Sequence, residues 1–258
     1  MPGMSKTYDQ RFFDWVNLTG ARSARQVIPL LVEHIRPASV LDVGCGQGAW
    51  LAVWRELGIT DVIGVDGDYV AQDELLIPRD GFLARDLTER LALDRRFGLV
   101  QSLEVAEHLR PEASATFVDS LCAHGDIVAF SAAQPGQGGE GHINEHNLST
   151  WAAEFGRRGY AAYDVVRPLI ADNRAVDPWY RYNMIVFANG SGASRLSATA
   201  QSRRTADLTS LDRVGNLAWK VRRALLKPWP PGVVTQLSRL HYRLAMTFNK
   251  RPTKVRTR

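Results

Sequence analysis

The run Val40-Leu41-Asp42-Val43-Gly44-Cys45-Gly46-Gln47-Gly48-Ala49-Trp50 constrains this chain most, because it reads as a buried strand, a glycine turn and a helix start in succession. Glycines lack the Cβ that would block a close approach, so a backbone through Gly44, Cys45, Gly46 and Gly48 can pass beneath a ligand. A helix opening at Ala49 then points its unpaired N–H groups at that ligand. The spacing Gly44-x-Gly46-x-x-Ala49 also fits the dinucleotide pattern G-x-G-x-x-G/A, which alone does not separate a nicotinamide cofactor from another nucleoside. Asp42 does more. It stands two residues before the first glycine, at the strand's carboxyl end, where a carboxylate suits a cationic amino group better than a pyrophosphate. Asp66 ends the next apolar run, where an acidic side chain can accept hydrogen bonds from ribose hydroxyls of either cofactor.

Apolar runs at 40–43, 62–65, 82–84, 99–103, 127–130, 161–166 and 184–188 alternate with helical patterns, which predicts an α/β fold around a doubly wound, mostly parallel sheet. The 258 residues, 45% of them hydrophobic, are enough for one catalytic domain and an appendage. Trp15, Val27, Leu30, Leu31 and Ile35 share a rough helical register, so 1–36 reads as a helical segment, one or two helices serving as a lid, ahead of a core domain at 37–190. No apolar stretch is long enough to span a bilayer, and the first residues lack the apolar core of a signal peptide, so a cytoplasmic protein is expected. Cys45 and Cys122 are the two cysteines, read as a small loop residue and a core residue; they argue against a disulfide framework.

Composition changes near 189. Asn189-Gly190-Ser191-Gly192-Ala193-Ser194 reads as a linker, and 191–258 holds 15 Lys and Arg against two acidic residues, although the whole chain carries only +5. Leu208, Leu211, Val214, Ala218, Val221 and Leu225 recur at helical spacing among basic residues, and a second helical pattern runs over 233–248. This basic amphipathic extension suits packing against its own domain or, as a homo-oligomer, against a neighbouring subunit through 207–250, peripheral contact of Trp219, Trp229 and the basic residues with the anionic inner face of a membrane, or, less favoured, nucleic-acid binding.

Chemistry belongs after the fourth and fifth strands, outside their carboxyl ends. After Leu99-Val100-Gln101-Ser102-Leu103 comes Glu104-Val105-Ala106-Glu107-His108, which puts Glu104, Glu107 and His108 on one face, able to hold a divalent ion, if a helical turn starts there. After the fifth strand a glycine-rich loop leads to His142-Ile143-Asn144-Glu145-His146. That spells H-x-x-E-H, the inverted zinc-protease signature, but such a motif needs a long regular helix and here follows Gly136, Gly138, Gly139 and Gly141. A simpler reading has Asn144 or Asn147 capping a helix through Leu148, Trp151, Ala152 and Phe155.

Asp42 through Gly48 matches D-x-G-x-G-x-G, and on this motif the chain resembles the class I S-adenosylmethionine-dependent methyltransferases over roughly 35–190. The resemblance implies a Rossmann-like seven-stranded sheet with the last strand pair antiparallel. It implies that Asp42 and the glycine loop hold the methionine end, Asp66 with Gly67 the ribose, and Asp86 with Leu87 the adenine edge, with Ser102 beside the cofactor. The E-x-x-E-H block looks like that of the ubiquinone-biosynthesis O-methyltransferases, which implies Mg²⁺ or Mn²⁺ at Glu104, Glu107 and His108; many relatives carry the block without a metal. Gly98 departs from the family, which usually has Asp there. Gly141-His142-Ile143-Asn144-Glu145 looks similar to segments of bacterial sugar and glycan methyltransferases.

Methyl transfer is an in-line displacement that needs alignment and, for a hydroxyl acceptor, a proton acceptor. A neutral imidazole, with an ordinary pKa of about 6.5, can serve. His142 is the expected base, with Glu145 orienting it and His146 as the other candidate. The absence of an Asn/Asp-Pro-Pro-aromatic segment and of a Pro-Cys nucleophile after the fourth strand counts against DNA methylation. The expected function is O-methylation of a sugar, glycan or related small molecule. An RNA methyltransferase using the basic extension, a non-catalytic S-adenosylmethionine-binding protein and a nicotinamide-dependent oxidoreductase are the alternatives.

Overall fold

The computed structural model describes residues 10–236 apart from 214, 231 and 232, with side chains from residue 16 onward. The first helix, α1 (Gln10–Ile35), is one continuous element of 26 residues with Pro29 inside it. It buries Ala24, Val27, Ile28, Leu31 and Ile35, the stripe that a helix presents to a core.

Seven strands follow: β1 (Val40–Val43), β2 (Val62–Asp66), β3 (Phe82–Ala84), β4 (Leu99–Leu103), β5 (Ile127–Ser131), β6 (Ala161–Tyr163) and β7 (Ile185–Ala188). They form one sheet in the order β3-β2-β1-β4-β5-β7-β6, with β7 antiparallel to both β5 and β6 and every other pairing parallel. The sheet therefore has the Rossmann-like arrangement expected. β6 is shorter than the apolar run 161–166, because Asp164 turns to grip Arg167 at 2.8 Å and the chain enters the short helix α5 (Arg167–Ile170).

Every residue of β1, β4 and β5 is buried, as in parallel sheets covered on both faces. One face packs α1 and α2 (Ala49–Glu56) through Ile28, Leu31, Trp54 and Leu99. The other packs α3 (Ser114–His124) and α4 (Leu148–Gly156) through Phe117, Leu121, Trp151 and Phe155. Two contacts fix these layers: Trp54 Nε1 donates to buried Gln101 Oε1 at 2.9 Å, and the Phe155 and Phe187 rings stack 4.0 Å apart. Gly98 has a local reason. A Cβ there would stand 3.1 Å from the Ala38 nitrogen and 3.2 Å from the Ser39 oxygen, so an aspartate would need the backbone of 38–39 to give by a few tenths of an ångström.

Beyond β5 come α6 (Pro178–Asn183), α7 (Gly190–Ala193), α8 (Ala198–Ser202) and α9 (Leu217–Leu226). The stretch read as a linker is α7, where Asn189 Oδ1 accepts from Gly192 N at 2.8 Å, and a Cβ on Gly192 would sit 2.1 Å from the Asp126 oxygen. Its small residues serve close packing against the strand edge rather than flexibility. The helical spacing that began at Leu208 is also interrupted. A 3₁₀ turn (Leu208–Asp212) tied to Ser149 by the Asp212 carboxylate comes first. Gly215, at φ +90°, then breaks the chain before Asn216 caps α9 through Trp219 N at 2.9 Å. Of the second helical pattern, only 233–236 falls among the described residues, and these are helical.

Candidate functional site

The carboxyl ends of β1, β2, β4 and β5 open on one edge of the sheet, and the order reverses between β1 and β4, the place where open α/β sheets bind ligands. A cavity of about 900 Å³ lies there, walled by the glycine loop, the ends of β2 and β4, the loop after β5, and three helices, α1, α6 and α9.

Its inner end is the glycine loop. Gly44, Gly46 and Gly48 have φ of +89°, +53° and +87°, values that L side chains rarely adopt. A Cβ on Gly44 would stand 2.2 Å from the Val105 side chain, and one on Gly48 3.1 Å from Ile77, so both are needed for packing. At Gly46 a Cβ would meet nothing within 4 Å. The open space beside it is the cavity, and a side chain there would occupy the ligand's path. Cys45 lines the same wall, its thiol raised well above the ordinary range by burial.

Asp42 is 3% exposed. Burial, with the Asp66 charge adding to it, raises its pKa to about 7. Gln101 hydrogen-bonds this carboxylate and holds the pKa down in part, and a cation at this end of the cavity would add a charged partner. Asp66 is itself buried and holds the loop: it accepts from Gly46 N at 2.6 Å, Gly67 N at 2.7 Å and the Tyr69 hydroxyl at 2.5 Å. Burial raises its pKa against those three donors. Leu87 lines the cavity. Asp86 is exposed, outside the lining, and accepts from Thr88 N and Oγ1 at 2.9 and 2.7 Å. Ser102 is fully buried within β4, its hydroxyl without a partner.

The acidic block after β4 departs from a regular helical turn. Glu104 takes φ +58°, rare for a residue with a side chain, and a 3₁₀ turn follows only at Ala106–His108. Glu104 and Glu107 therefore do not share a helical face. The Glu104 carboxylate accepts from Gln137 Nε2 at 2.8 Å and Asn183 Nδ2 at 3.2 Å, and burial raises its pKa. Glu107 Oε1 accepts from Ala133 N at 3.1 Å, whereas Oε2 is buried without a partner. His108 Nδ1 is likewise buried and unpartnered, and burial beside His142 lowers the His108 pKa to about 3.

The loop after β5 brings His142 to this pair. His142 and His108 rings meet edge to face at 4.9 Å, and ligand atoms of Glu107, His108 and His142 lie within 4.8 Å of one another, the one such group of three among the described residues. Glu145 holds His142 in place: its carboxylate lies 2.9 Å from His142 Nδ1 and accepts from Gly136 N and Gly138 N at 3.0 and 3.1 Å. A Cβ on Gly139 would stand 2.0 Å from His142 Nε2, so glycine there makes room for the imidazole. His146 lies instead against Trp151, ring centroids 5.5 Å apart, outside the cavity lining. The H-x-x-E-H segment is loop, and α4 begins only at Leu148, after the N-cap position Asn147. Asn144 turns inward to Ala106 O and Ser114 Oγ at 3.1 and 2.9 Å.

Other wall residues were not expected at the site: Tyr180, Arg181 and Tyr182 come from α6, and Trp219 and Arg222 from α9, so that Trp219, expected on a membrane face, is instead buried in the cavity wall. The signal available was the aromatic run Trp179-Tyr180-Arg181-Tyr182 behind Asp177-Pro178, a helix start with Pro at its first turn. Asn17 on α1 donates to Gln47 Oε1 at 2.6 Å, latching that helix to the glycine loop.

Residues 16–131 match a family model described as a methyltransferase domain. A search of curated proteins found no match. Among solved structures, the methyltransferase domain of bacterial CtHen1-C is similar at 21% identity and a TM-score of 0.51, over 67% of this chain and 99% of that one. The sugar N-methyltransferase KedS8 from a Streptoalloteichus species is similar at 16% identity and a TM-score of 0.52, over 73% and 96%. DesVI from Streptomyces venezuelae gives 16%, 0.50, 70% and 99%. At these identities the likeness is one of fold.

Proposed function

We propose that this chain, whose residues 16–131 match a methyltransferase-domain family model, is a class I S-adenosylmethionine-dependent methyltransferase that methylates a hydroxyl of a sugar, glycan or related small molecule. The observation that carries this reading is one continuous cavity with a glycine cradle and a buried carboxylate at one end and a carboxylate-held imidazole at the other. The cradle fits S-adenosylmethionine: Gly46 leaves its space open, Asp42 offers a carboxylate to an ammonium, and Asp66 steadies the loop. When bound, the cofactor supplies a methyl group on positive sulfur.

The residues of the chain do the rest. Cavity walls from α1, α6 and α9 bound the space in which the reacting pair would meet. His142 accepts the acceptor's proton, and Glu145, within reach of Nδ1, orients the ring and stabilises the imidazolium. Glu, Gln, His and Tyr side chains lining the walls suit an acceptor with several hydroxyls to pair.

A second reading rests on the unpartnered Glu107 Oε2 and His108 Nδ1 beside His142. These three residues fit a divalent cation with mixed oxygen and nitrogen ligands such as Mn²⁺. A cation there would lower the pKa of the acceptor hydroxyl, and His142 would then be a ligand rather than a base. Glu104, committed to Gln137 and Asn183, lies outside that group.

The test is transfer of a ¹³C-labelled methyl group from the cofactor into fractionated glycan, small-molecule and RNA extracts, with and without EDTA. Product NMR separates O-methyl from N-methyl carbons. O-methyl products in both conditions support His142 as base, and loss of turnover in EDTA supports the cation. N-methyl products, or labelled RNA alone, contradict the proposal.

A further inference from the structure

Helix α9 has two unlike faces. Trp219 and Leu226 turn inward to the cavity, Trp219 packing on Tyr182 with ring centroids 5.3 Å apart. The same side docks on the loop after β5, where Gly136 at φ +81° approaches the Arg223 carbonyl so closely that a Cβ would stand 2.4 Å from it. The outer side is apolar. Leu217 is 77% exposed, Val221 47% and Leu225 65%, with Ala224 among them, and Trp229 beyond the helix is 53% exposed. At 100° per residue these four helix positions form one stripe, flanked by Lys220 on one side and Arg222 on the other. A surface helix normally shows the reverse, with its apolar stripe inward and charge outward.

We propose that the outer face of α9 docks on an anionic lipid bilayer, with Leu217, Val221, Leu225 and Trp229 entering the interface and the surrounding Lys and Arg meeting acidic headgroups. Charge carries the choice of occupant. Residues 191–258 hold 15 basic and two acidic residues, and 237–258 alone adds seven basic residues and no acidic one. Paired aliphatic exposure and cationic charge is the pattern of an interfacial helix. RNA would be met by the charge but gains nothing from exposed leucines. A second copy paired through the same face would set Lys220, Arg222 and Lys227 against their own counterparts. It would otherwise need an apolar counter-face, and among the described residues the remaining exposed large hydrophobics, Leu18, Leu57, Tyr69, Leu76, Ile143 and Leu169, are spread singly over separate elements. Docking would bring the cavity wall formed by α9 up to the bilayer. Given the methyltransferase reading, that position suits an acceptor carried on a lipid.

The experiment is co-sedimentation of the full chain with phosphatidylcholine vesicles containing or lacking phosphatidylglycerol, for wild type and a Leu217→Glu/Leu225→Glu variant. Neither leucine lines the cavity. Melting curves and S-adenosylhomocysteine affinity verify that the variant is folded, and a single Leu225→Glu variant serves if the double one is not. The proposal predicts binding to phosphatidylglycerol vesicles that is weak on phosphatidylcholine alone and falls about tenfold or more in the variant. It is overturned by absence of binding or by equal binding of variant and wild type. It is also overturned by a concentration-dependent dimer that Leu225→Glu dissociates, or by tight RNA binding that the variant retains while vesicles are ignored. Failure of S-adenosylhomocysteine to bind wild type would count against the methyltransferase reading and leave the vesicle result to stand by itself.

Discussion

Asp42 shows how a single carboxylate reports on the site. With its pKa raised to about 7 in the folded protein, it is favoured in the protonated form by folding. Its contribution to stability is therefore present below the ordinary aspartate pKa of about 3.9 and is lost as pH rises through about 7. Thermal melts of the ligand-free protein should fall over that window, and Asp42→Asn should flatten the fall. Cofactor binding should move the other way. Only the carboxylate pairs with an ammonium, so affinity for S-adenosylhomocysteine should weaken about tenfold from pH 8 to pH 6 as the competent fraction shrinks. A pH-independent Kd would separate Asp42 from the ligand. At the other end of the cavity, Gly139→Ala would drive a methyl group into the space of His142 Nε2. It should depress kcat about a hundredfold, roughly the lower end of a general-base contribution, with the cofactor Kd unchanged; His142→Ala should do the same. Asp42, Asp66 and the glycines were legible in sequence because one strand, one turn and the next strand end place them. Glu104 was not, because its partners Gln137 and Asn183 lie 33 and 79 residues away. Nor was the approach of His142 to Glu107 and His108, which lie 35 and 34 residues before it.

Among the elements, the strands were readable from their apolar runs, since burial on both faces leaves little choice of residue. The tail was not. Spacing alone joined Leu208 to Leu225, but Gly215 and the Asp212–Ser149 contacts divide that stretch into a 3₁₀ turn and α9. Small residues at 190–193 have the composition of a linker and the packing of a capped turn. The docking of α9 depends on the close approach at Gly136. Gly136→Ala combines a left-handed φ with a Cβ 2.4 Å from the Arg223 oxygen, at a cost of at least about 1 kcal/mol. Trypsin should then cut at Lys220, Arg222 or Arg223 several-fold faster than in wild type, measured by the rate of loss of the intact chain. An unchanged cleavage rate would mean that α9 does not rest on this loop.

At the scale of the whole molecule, the sheet order and its switch point decide where a ligand goes, and the alternation of strands and helices made that order legible. What sequence patterning left out is enclosure. Residues from α1 near the start of the chain and α9 near its end line the same cavity at the open edge of the sheet, so the cavity wall spans most of the described chain. No described helix is long and apolar enough to cross a membrane. The central claim is that this enclosed space is an S-adenosylmethionine site built on the glycine cradle, and isothermal titration with S-adenosylhomocysteine tests it most directly. Wild type should bind one equivalent, and Gly46→Val, verified as folded by its circular dichroism and melting curve, should show no measurable heat of binding. Equal affinity in the folded variant, or no binding to wild type, would contradict the account.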